Sequence, residues 1–269
     1  MGDVVGRPGR RALTELLPGL REEMELGFVV ANAENAAGGS GLTAETAREI
    51  LAAGADCLTT GDHFYEHKGV KEITDDESET RVLRPANWSR HAPGRGWGVY
   101  GSKAGPCVGV LNLMGRVFMR YAGDNPFDAA DAAIEEMLRR TPIVVVDVHA
   151  EATSEKIALG RWLDGRASFV FGTHTHVQTA DERILPGGTA YVTDVGMTGP
   201  DDSILGRDVG SVLARLRTGV PARFGVADGD VVVCGALATV DSDTGRAVSV
   251  ERVRLTPPRR ADAASRERD

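Results

Sequence analysis

The sequence concentrates metal-ligand chemistry in a few short stretches, and the densest is Gly172-Thr173-His174-Thr175-His176. An apolar run, Ala167-Ser168-Phe169-Val170-Phe171, leads into it and reads as a buried strand. Alternate side chains share a face on extended backbone, so His174 and His176 are expected to point the same way. Neutral imidazole ligates zinc, iron, nickel or copper, while carboxylates beside it favour harder ions such as manganese. An isolated H-x-H is more often a hydrogen-bonded pair in a polar loop. Here it has company. Glu34-Asn35, Asp62-His63 and His149 close other short apolar runs, and Asp3 sits in a glycine-rich opening.

In open α/β folds, sites form beyond the carboxyl ends of strands. Asp3, Glu34, Asn35, Asp62, His149, His174 and His176 are therefore expected to converge. One ion takes about four to six such ligands, so seven suit two adjacent ions. Two ions about 3.5–4 Å apart can clamp the attacking and leaving oxygens of phosphoryl transfer. Taken singly, Asp3 reads equally well as a turn aspartate and Asn35 as a cap. His67 and His91 read as solvated loop residues. Glu151 fits a ligand-orienting group or a helix-start carboxylate, and Arg116 a structural ion pair before a phosphate contact.

The elements that must position these groups alternate. Leucines 13, 16, 17 and 20 recur at helical spacing from Arg10 to about Met24, with Pro18 expected to end the helix early. Phe28–Ala33 and Cys57–Thr60 read as strands, and Thr43 caps a helix from Ala44 to Ala53. A hairpin is expected from Trp97–Tyr100 and Cys107–Leu113, then a helix from Pro126 to Arg140. Ile143–Val146 is the clearest buried strand, and Ser154–Leu163 a helix. Tyr191–Asp194 leads into Gly196–Gly199, read as a glycine-rich loop lining the pocket. A helix at Val212–Arg217 and strands at Arg223–Val226, Val231–Val240 and Ala247–Leu255 complete the pattern. Asp75-Asp76-Glu77 with Glu79 reads as a solvated loop. The segment 257–269, charged and without an apolar face, is expected to be disordered. No linker divides residues 1–256, which read as one domain.

At 269 residues the chain can bury a sizeable core, and its net charge of -8 argues against an extended nucleic-acid surface. A nucleotide substrate stays open, since bound cations supply positive charge locally. Three scattered cysteines suggest a reducing compartment, and no run approaches the roughly 20 apolar residues of a membrane helix. The expectation is a cytoplasmic protein without a membrane partner; a homo-oligomer is allowed.

Asp, then Glu-Asn, then Gly-Asp-His, then His, then Gly-Thr-His-Thr-His: this order resembles a calcineurin-like metallophosphoesterase. Longer strings narrow it. Gly2-Asp3-Val4-Val5-Gly6 through Pro8-Gly9-Arg10, Glu34-Asn35-Ala36-Ala37, His149 through Lys156, Gly172 through Asp181 and Asp194 through Pro200 resemble the YmdB family of metal-dependent phosphodiesterases. The resemblance spans residue 1 to about residue 255. It implies a four-layer α/β/β/α sandwich with two central mixed sheets. It also implies hydrolysis of 2′,3′-cyclic nucleotides or related small phosphodiesters, with two divalent or trivalent ions, iron or manganese, zinc being an alternative. By matching positions, Asp3 and His176 would hold one ion and Asp62, His149 and His174 the other. Glu34 would lie between them, and Asn35 would be a ligand or close neighbour. His63 matches the family's catalytic histidine, which would protonate or stabilise the leaving oxygen, with a metal-bound hydroxide as nucleophile.

Two departures stand out. The family has Asn in its Gly-Asn-His motif, where this chain has Asp62. The added charge is expected to tighten cation binding and lower turnover. The family also has a strand ahead of the first Gly-Asp, which is missing here and would leave Asp3 at a frayed end. Competing readings are a phosphomonoesterase or nucleotidase with the same site, and a regulatory metal-binding protein with little turnover. A metal-dependent amidohydrolase barrel also uses H-x-H, but normally at its first strand, whereas here the motif comes late.

Overall fold

Among the described residues, burial sorts the apolar side chains into three large clusters and a small fourth around Val5, Met197 and Val232. The computed structural model describes residues 1–74, 81–103, 105–121 and 123–257. The acidic run at 75–79 and all but the first residue of the 257–269 tail lie outside the described residues. In chain order the elements are β1 (Asp3–Val4), α1 (Gly6–Glu23), β2 (Val30–Asn32), α2 (Ala44–Ala52), β3 (Cys57–Thr59), α3 (Lys71–Thr74, after a 3-10 turn), β4 (Val82–Leu83) and β5 (Trp97–Tyr100). There follow β6 (Val108–Met114), α4 (Pro126–Leu138), β7 (Val144–His149), α5 (Thr153–Trp162), β8 (Phe169–Thr173), β9 (Arg183–Ile184) and β10 (Ala190–Val192). The last are β11 (Met197–Pro200), α6 (Val209–Thr218), β12 (Val231–Val240) and β13 (Ala247–Leu255).

The fold is mixed α/β, as expected. β6, β7, β8 and β10 run parallel in a six-stranded sheet ordered β5-β6-β7-β8-β10-β9, with antiparallel edges. Facing it are a parallel β2-β3-β4 sheet and a β1-β11-β12-β13 sheet. Leu13 and Leu17 of α1 and Ile50 of α2 pack on Val4, Ala31, Leu58 and Val233. Ile134 and Met137 of α4 and Leu159 of α5 cover the outer face of the six-stranded sheet through Leu111, Val146 and Val170. Between the sheets lie Val30, Cys57, Val110, Phe169, Phe171 and Val192. Each fully buried Leu, Ile or Val contributes about 1.5–3 kcal/mol.

Where two central sheets were expected, the second is split in two. Met1 bridges the split: its amine donates to the Val30 carbonyl at 2.8 Å, and its carbonyl accepts from the Asn32 amide at 3.3 Å. With only two residues in β1, that contact makes no registered ladder. Asp3 is nonetheless not frayed. It is fully buried, with its amide bonded to the Gly196 carbonyl. Gly2 permits this closeness, since a Cβ there would stand 2.0 Å from the Gly196 oxygen.

Other boundaries also differ from the sequence pattern. α1 runs through Pro18 to Glu23, because amphipathic packing on β11 and β12 outweighs the lost backbone bond. The stretch read as a glycine-rich loop is β11, held parallel to β1 and antiparallel to β12. Arg223–Val226 forms only an isolated bridge to Arg207. At the amino ends of the parallel strands a cavity of about 560 Å³ is lined by Met1, Phe28, Val30, Ile143, Phe169 and Ala236, among others. It contains none of the expected ligands. Those gather at the opposite, carboxyl ends.

Candidate metal centre

Strand ends deliver the ligand atoms. Glu34 follows β2, Asp62 follows β3, His149 ends β7 and His174 follows β8. Among the described residues, these four present ligand atoms all within 4.8 Å of one another. His149 Nε2 lies 2.9 Å from Glu34 Oε1, 3.7 Å from Asp62 Oδ1 and 3.1 Å from His174 Nδ1. Gly61 permits this closeness, because a Cβ there would lie 2.1 Å from Glu34 Oε2 and from the His149 ring.

Asp3, Asn35 and His176 adjoin the cluster. His176 Nε2 is 3.6 Å from Asp3 Oδ1 and 3.1 Å from Asn35 Nδ2, and Asp3 Oδ2 accepts from the His174 amide at 3.1 Å. All seven expected ligands therefore stand in one region, though only four close on a single point. The two histidines of the H-x-H pair do not get there by strand alternation. β8 stops at Thr173, and His174 and His176 both take left-handed backbone, with φ of 89° and 61°. The turn sends His174 toward His149 and His176 toward Asp3, where a continued strand would have pointed them together.

Each imidazole is oriented by what its other nitrogen meets. Thr173 Oγ1 donates to Asp147 Oδ1 at 2.7 Å, so toward His149 Nδ1, at 2.8 Å, it accepts. That fixes a proton on Nδ1 and turns Nε2 to the cluster. Asp147 is held in turn by Thr59 at 2.5 Å and Asn32 at 3.0 Å. His176 Nδ1 donates to the Leu205 carbonyl, which turns Nε2 toward Asp3 and Asn35. His174 Nε2 lies 3.1 Å from Glu151, leaving Nδ1 inward. The H-x-H turn is clamped from below. Lys156, fully buried on α5, donates to Asp194 Oδ2 at 2.8 Å and to Thr175 Oγ1 at 3.0 Å. Asp194 also accepts from the Thr175 hydroxyl and amide and from the Gly196 amide.

The electrostatics fit a cation. Burial raises the Asp3 carboxyl to about 6. Burial would raise Asp62 too, but the nearby imidazoles of His149, His63 and His174 outweigh it and bring Asp62 down to about 2. His149 is pushed well above its ordinary value: burial alone would lower it, and Glu34 and Asp62 reverse that. Burial and the neighbouring His149 lower His174 to about 4. The Oδ1 atoms of Asp3 and Asp62 are buried without a hydrogen-bond partner. Orphaned carboxylate oxygens facing imidazole nitrogens are what ions would satisfy. The donors are oxygens and imidazoles without thiolates, a set suited to manganese, iron or zinc.

His63 stands at the rim. Its amide donates to Glu34 Oε2 at 3.3 Å, and its Nδ1 lies 2.6 Å from Glu66 Oε1. His67 contacts the Ser40 carbonyl and His91 is exposed, both away from the cluster. The Arg116 side chain is exposed, while its amide donates to Glu155. Sequence reading missed the supporting residues Asn32, Thr59, Asp147, Thr173, Lys156 and Asp194. A lysine on the buried face of a helix, three residues from Leu159, was the one available signal.

Known proteins share this arrangement of sequence and fold. The family model for YmdB-like proteins matches residues 1–253. The chain is 47% identical over 253 residues to the 2′,3′-cyclic-nucleotide 2′-phosphodiesterase of Bacillus subtilis, covering 94% of each chain. It superposes on a hypothetical protein from Thermus thermophilus with a TM-score of 0.88 at 41% identity, covering 96% of this chain and 98% of the other. A novel phosphatase from Mycoplasma pneumoniae matches with a TM-score of 0.86 at 32% identity, covering 95% and 91%. With a match over nearly its whole length, the chain belongs to the YmdB-like protein family.

Proposed function

We propose that this protein is a metal-dependent phosphodiesterase that opens 2′,3′-cyclic nucleotides or related small phosphodiesters at a two-ion centre. The convergence of Glu34, Asp62, His149 and His174, with the unpartnered Oδ1 atoms of Asp3 and Asp62, carries the reading. The Bacillus subtilis relative, a phosphoric diester hydrolase by name, supplies the substrate class. Asp3 and His176, with Asn35 beside them, would hold one ion. Asp62, His149 and His174 would hold the other, and Glu34 would lie between. When bound, two such ions lower the pKa of a water and neutralise charge on the phosphoryl oxygens. Iron or manganese suits the donors best, zinc next.

The chain's own residues do the rest. Thr173 and Asp147 keep the His149 lone pair inward, and the Lys156–Asp194 clamp holds the H-x-H turn. Glu66 engages Nδ1 of His63, so Nε2 is the nitrogen left to meet the leaving oxygen. Among the described residues no helix is long and apolar enough to cross a membrane. The three cysteines are unpaired, in keeping with the cytoplasm.

The test is hydrolysis of 2′,3′-cyclic AMP by manganese- or iron-loaded protein, with His63→Ala and a nucleoside monophosphate in parallel. Cleavage of the cyclic ester, lost in the variant with metal content unchanged, supports the reading. Faster release of phosphate from the monophosphate would favour the phosphomonoesterase alternative, which the Mycoplasma pneumoniae neighbour's name also suggests.

A further inference from the structure

The loop formed by residues 115–121, after β6, places apolar and aromatic side chains at the surface. Its start is tied to the strand that ends in a metal ligand: the Gly115 amide donates to the His149 carbonyl at 3.0 Å. The Arg116 and Val117 amides then donate to Glu155 at about 3 Å. Further along, Arg120 Nη1 lies 3.4 Å from Glu66 Oε1, the same oxygen that meets His63 Nδ1 at 2.6 Å. The loop thus crosses from His149 to His63 along the rim of the metal cluster. Phe118 sits midway between these anchors. It is 86% exposed and takes left-handed backbone with φ of 62°. Exposed apolar surface and a strained non-glycine backbone both oppose folding, and neither is offset by packing. Beside it, the Arg120 guanidinium lies 5.2 Å from the Tyr121 ring centroid, and the Tyr121 ring packs tilted at 45° against Trp88, centroids 5.6 Å apart. Val117 and Tyr121 are also exposed.

We propose that this loop is the nucleobase-binding element of the enzyme, with Phe118 as the stacking platform and Arg120–Tyr121 as its flank. The inference rests on the cyclic-nucleotide reading of the site and adds how the base is held. A planar aromatic base offers a π-face to Phe118 whatever its hydrogen-bonding edge, so the contact favours nucleotides over base-free esters with little choice among bases. Arg120 can leave Glu66 for the base or the ribose, because an exposed ion pair holds it only weakly. The backbone bond from Gly115 to His149 and the Glu155 contacts to the Arg116 and Val117 amides hold the start of the loop beside the metal cluster.

The test compares metal-loaded wild type with Phe118→Ala on 2′,3′-cyclic AMP and on 1-O-methylribose 2,3-cyclic phosphate, which lacks a base. Loss of one base stack raises KM for cyclic AMP by about tenfold or more, with kcat and the base-free KM little changed. Phe118→Trp restores the wild-type KM. Phe118→Gly relieves the left-handed strain, so it raises the melting temperature while weakening nucleotide use. Binding of adenosine 3′-monophosphate and of ribose 5-phosphate, followed by calorimetry, reads the same contact without turnover. Equal KM changes on both esters, or no change on either, would overturn the proposal. If wild type cleaves neither ester, the activity reading fails separately. The loop is then judged by binding alone, and affinity for the adenosine phosphate no greater than for ribose 5-phosphate refutes it.

Discussion

Replacing Lys156 by Met tests whether the buried clamp under the H-x-H turn acts on metal binding or only on stability. Lys156 and Asp194 are both fully buried. Removing one member of such a pair leaves an uncompensated buried charge and costs about 3–5 kcal/mol. At about 2–4 °C per kcal/mol for a chain near this size, the melting temperature falls by roughly 6 to 20 °C. The second effect is more specific. Thr175 is fixed by Lys156 Nζ and by its hydroxyl and amide contacts to Asp194, and it stands between two histidines held in left-handed backbone. Such backbone costs on the order of 1–3 kcal/mol per residue and persists only where surroundings enforce it. Losing one enforcing contact lets His174 and His176 relax away from the ion positions. Each tenfold loss of manganese affinity removes about 1.4 kcal/mol of metal-induced stabilisation. The assay is thermal unfolding of metal-free and manganese-loaded protein, wild type and variant. The expected outcome is a lower melting temperature in both forms and a smaller manganese-induced gain in the variant. An unchanged gain would refute the positioning role, and a fall of under about 3 °C would refute the buried-charge argument itself.

Gly61→Ala places a methyl against Glu34 and His149, so bound manganese measured by elemental analysis should drop sharply while far-ultraviolet circular dichroism stays near wild type. Thr173→Val removes the acceptor that holds the proton on His149 Nδ1, and titration should show metal affinity about 10–100-fold weaker. Asp62→Asn removes one negative charge from the cluster: metal retention against a chelator should fall and kcat on cyclic AMP rise. Identical values for both proteins would dispose of that argument. Glu66→Gln leaves the ligands intact but weakens the contact that aims His63, so kcat should fall by about tenfold or more with metal content unchanged.

The four candidate ligands that cluster together are legible in the sequence because they stand at strand ends, where an apolar run stops and a carboxylate or imidazole begins. Glu34, Asp62, His149 and His174 each carry that signature, and periodicity finds the strands behind them to within a few residues. Periodicity fails where tertiary contacts decide the structure. β11 is four residues with a glycine and a proline, Met197-Thr198-Gly199-Pro200, and looks like a loop until β1 and β12 flank it. α1 survives Pro18 because its other face is buried. The directions of His174 and His176 depart from expectation for a related reason: alternation applies only while the strand lasts, and the strand ends one residue too soon.

The orienting residues are hidden more deeply. Asp147 sits within Val144-Val145-Val146-Asp147-Val148-His149, two residues before a candidate ligand and on the same side of the strand. By type and spacing it has the stronger claim to an ion than Asp3 has. What denies it that role is its company. Thr59, Asn32 and Thr173, brought in from three other strands, occupy its oxygens with hydrogen bonds. Burial raises its carboxyl, while charge from His149 and these hydrogen bonds work the other way. Asp3 and Asp62 each keep an oxygen with no such partner. Satisfied and unsatisfied carboxylates thus mark the orienting group and the candidate ligands. That distinction depends on pairs separated by 26 to 115 residues in the chain, such as Asp147 with Thr173 and with Asn32, so no local pattern encodes it.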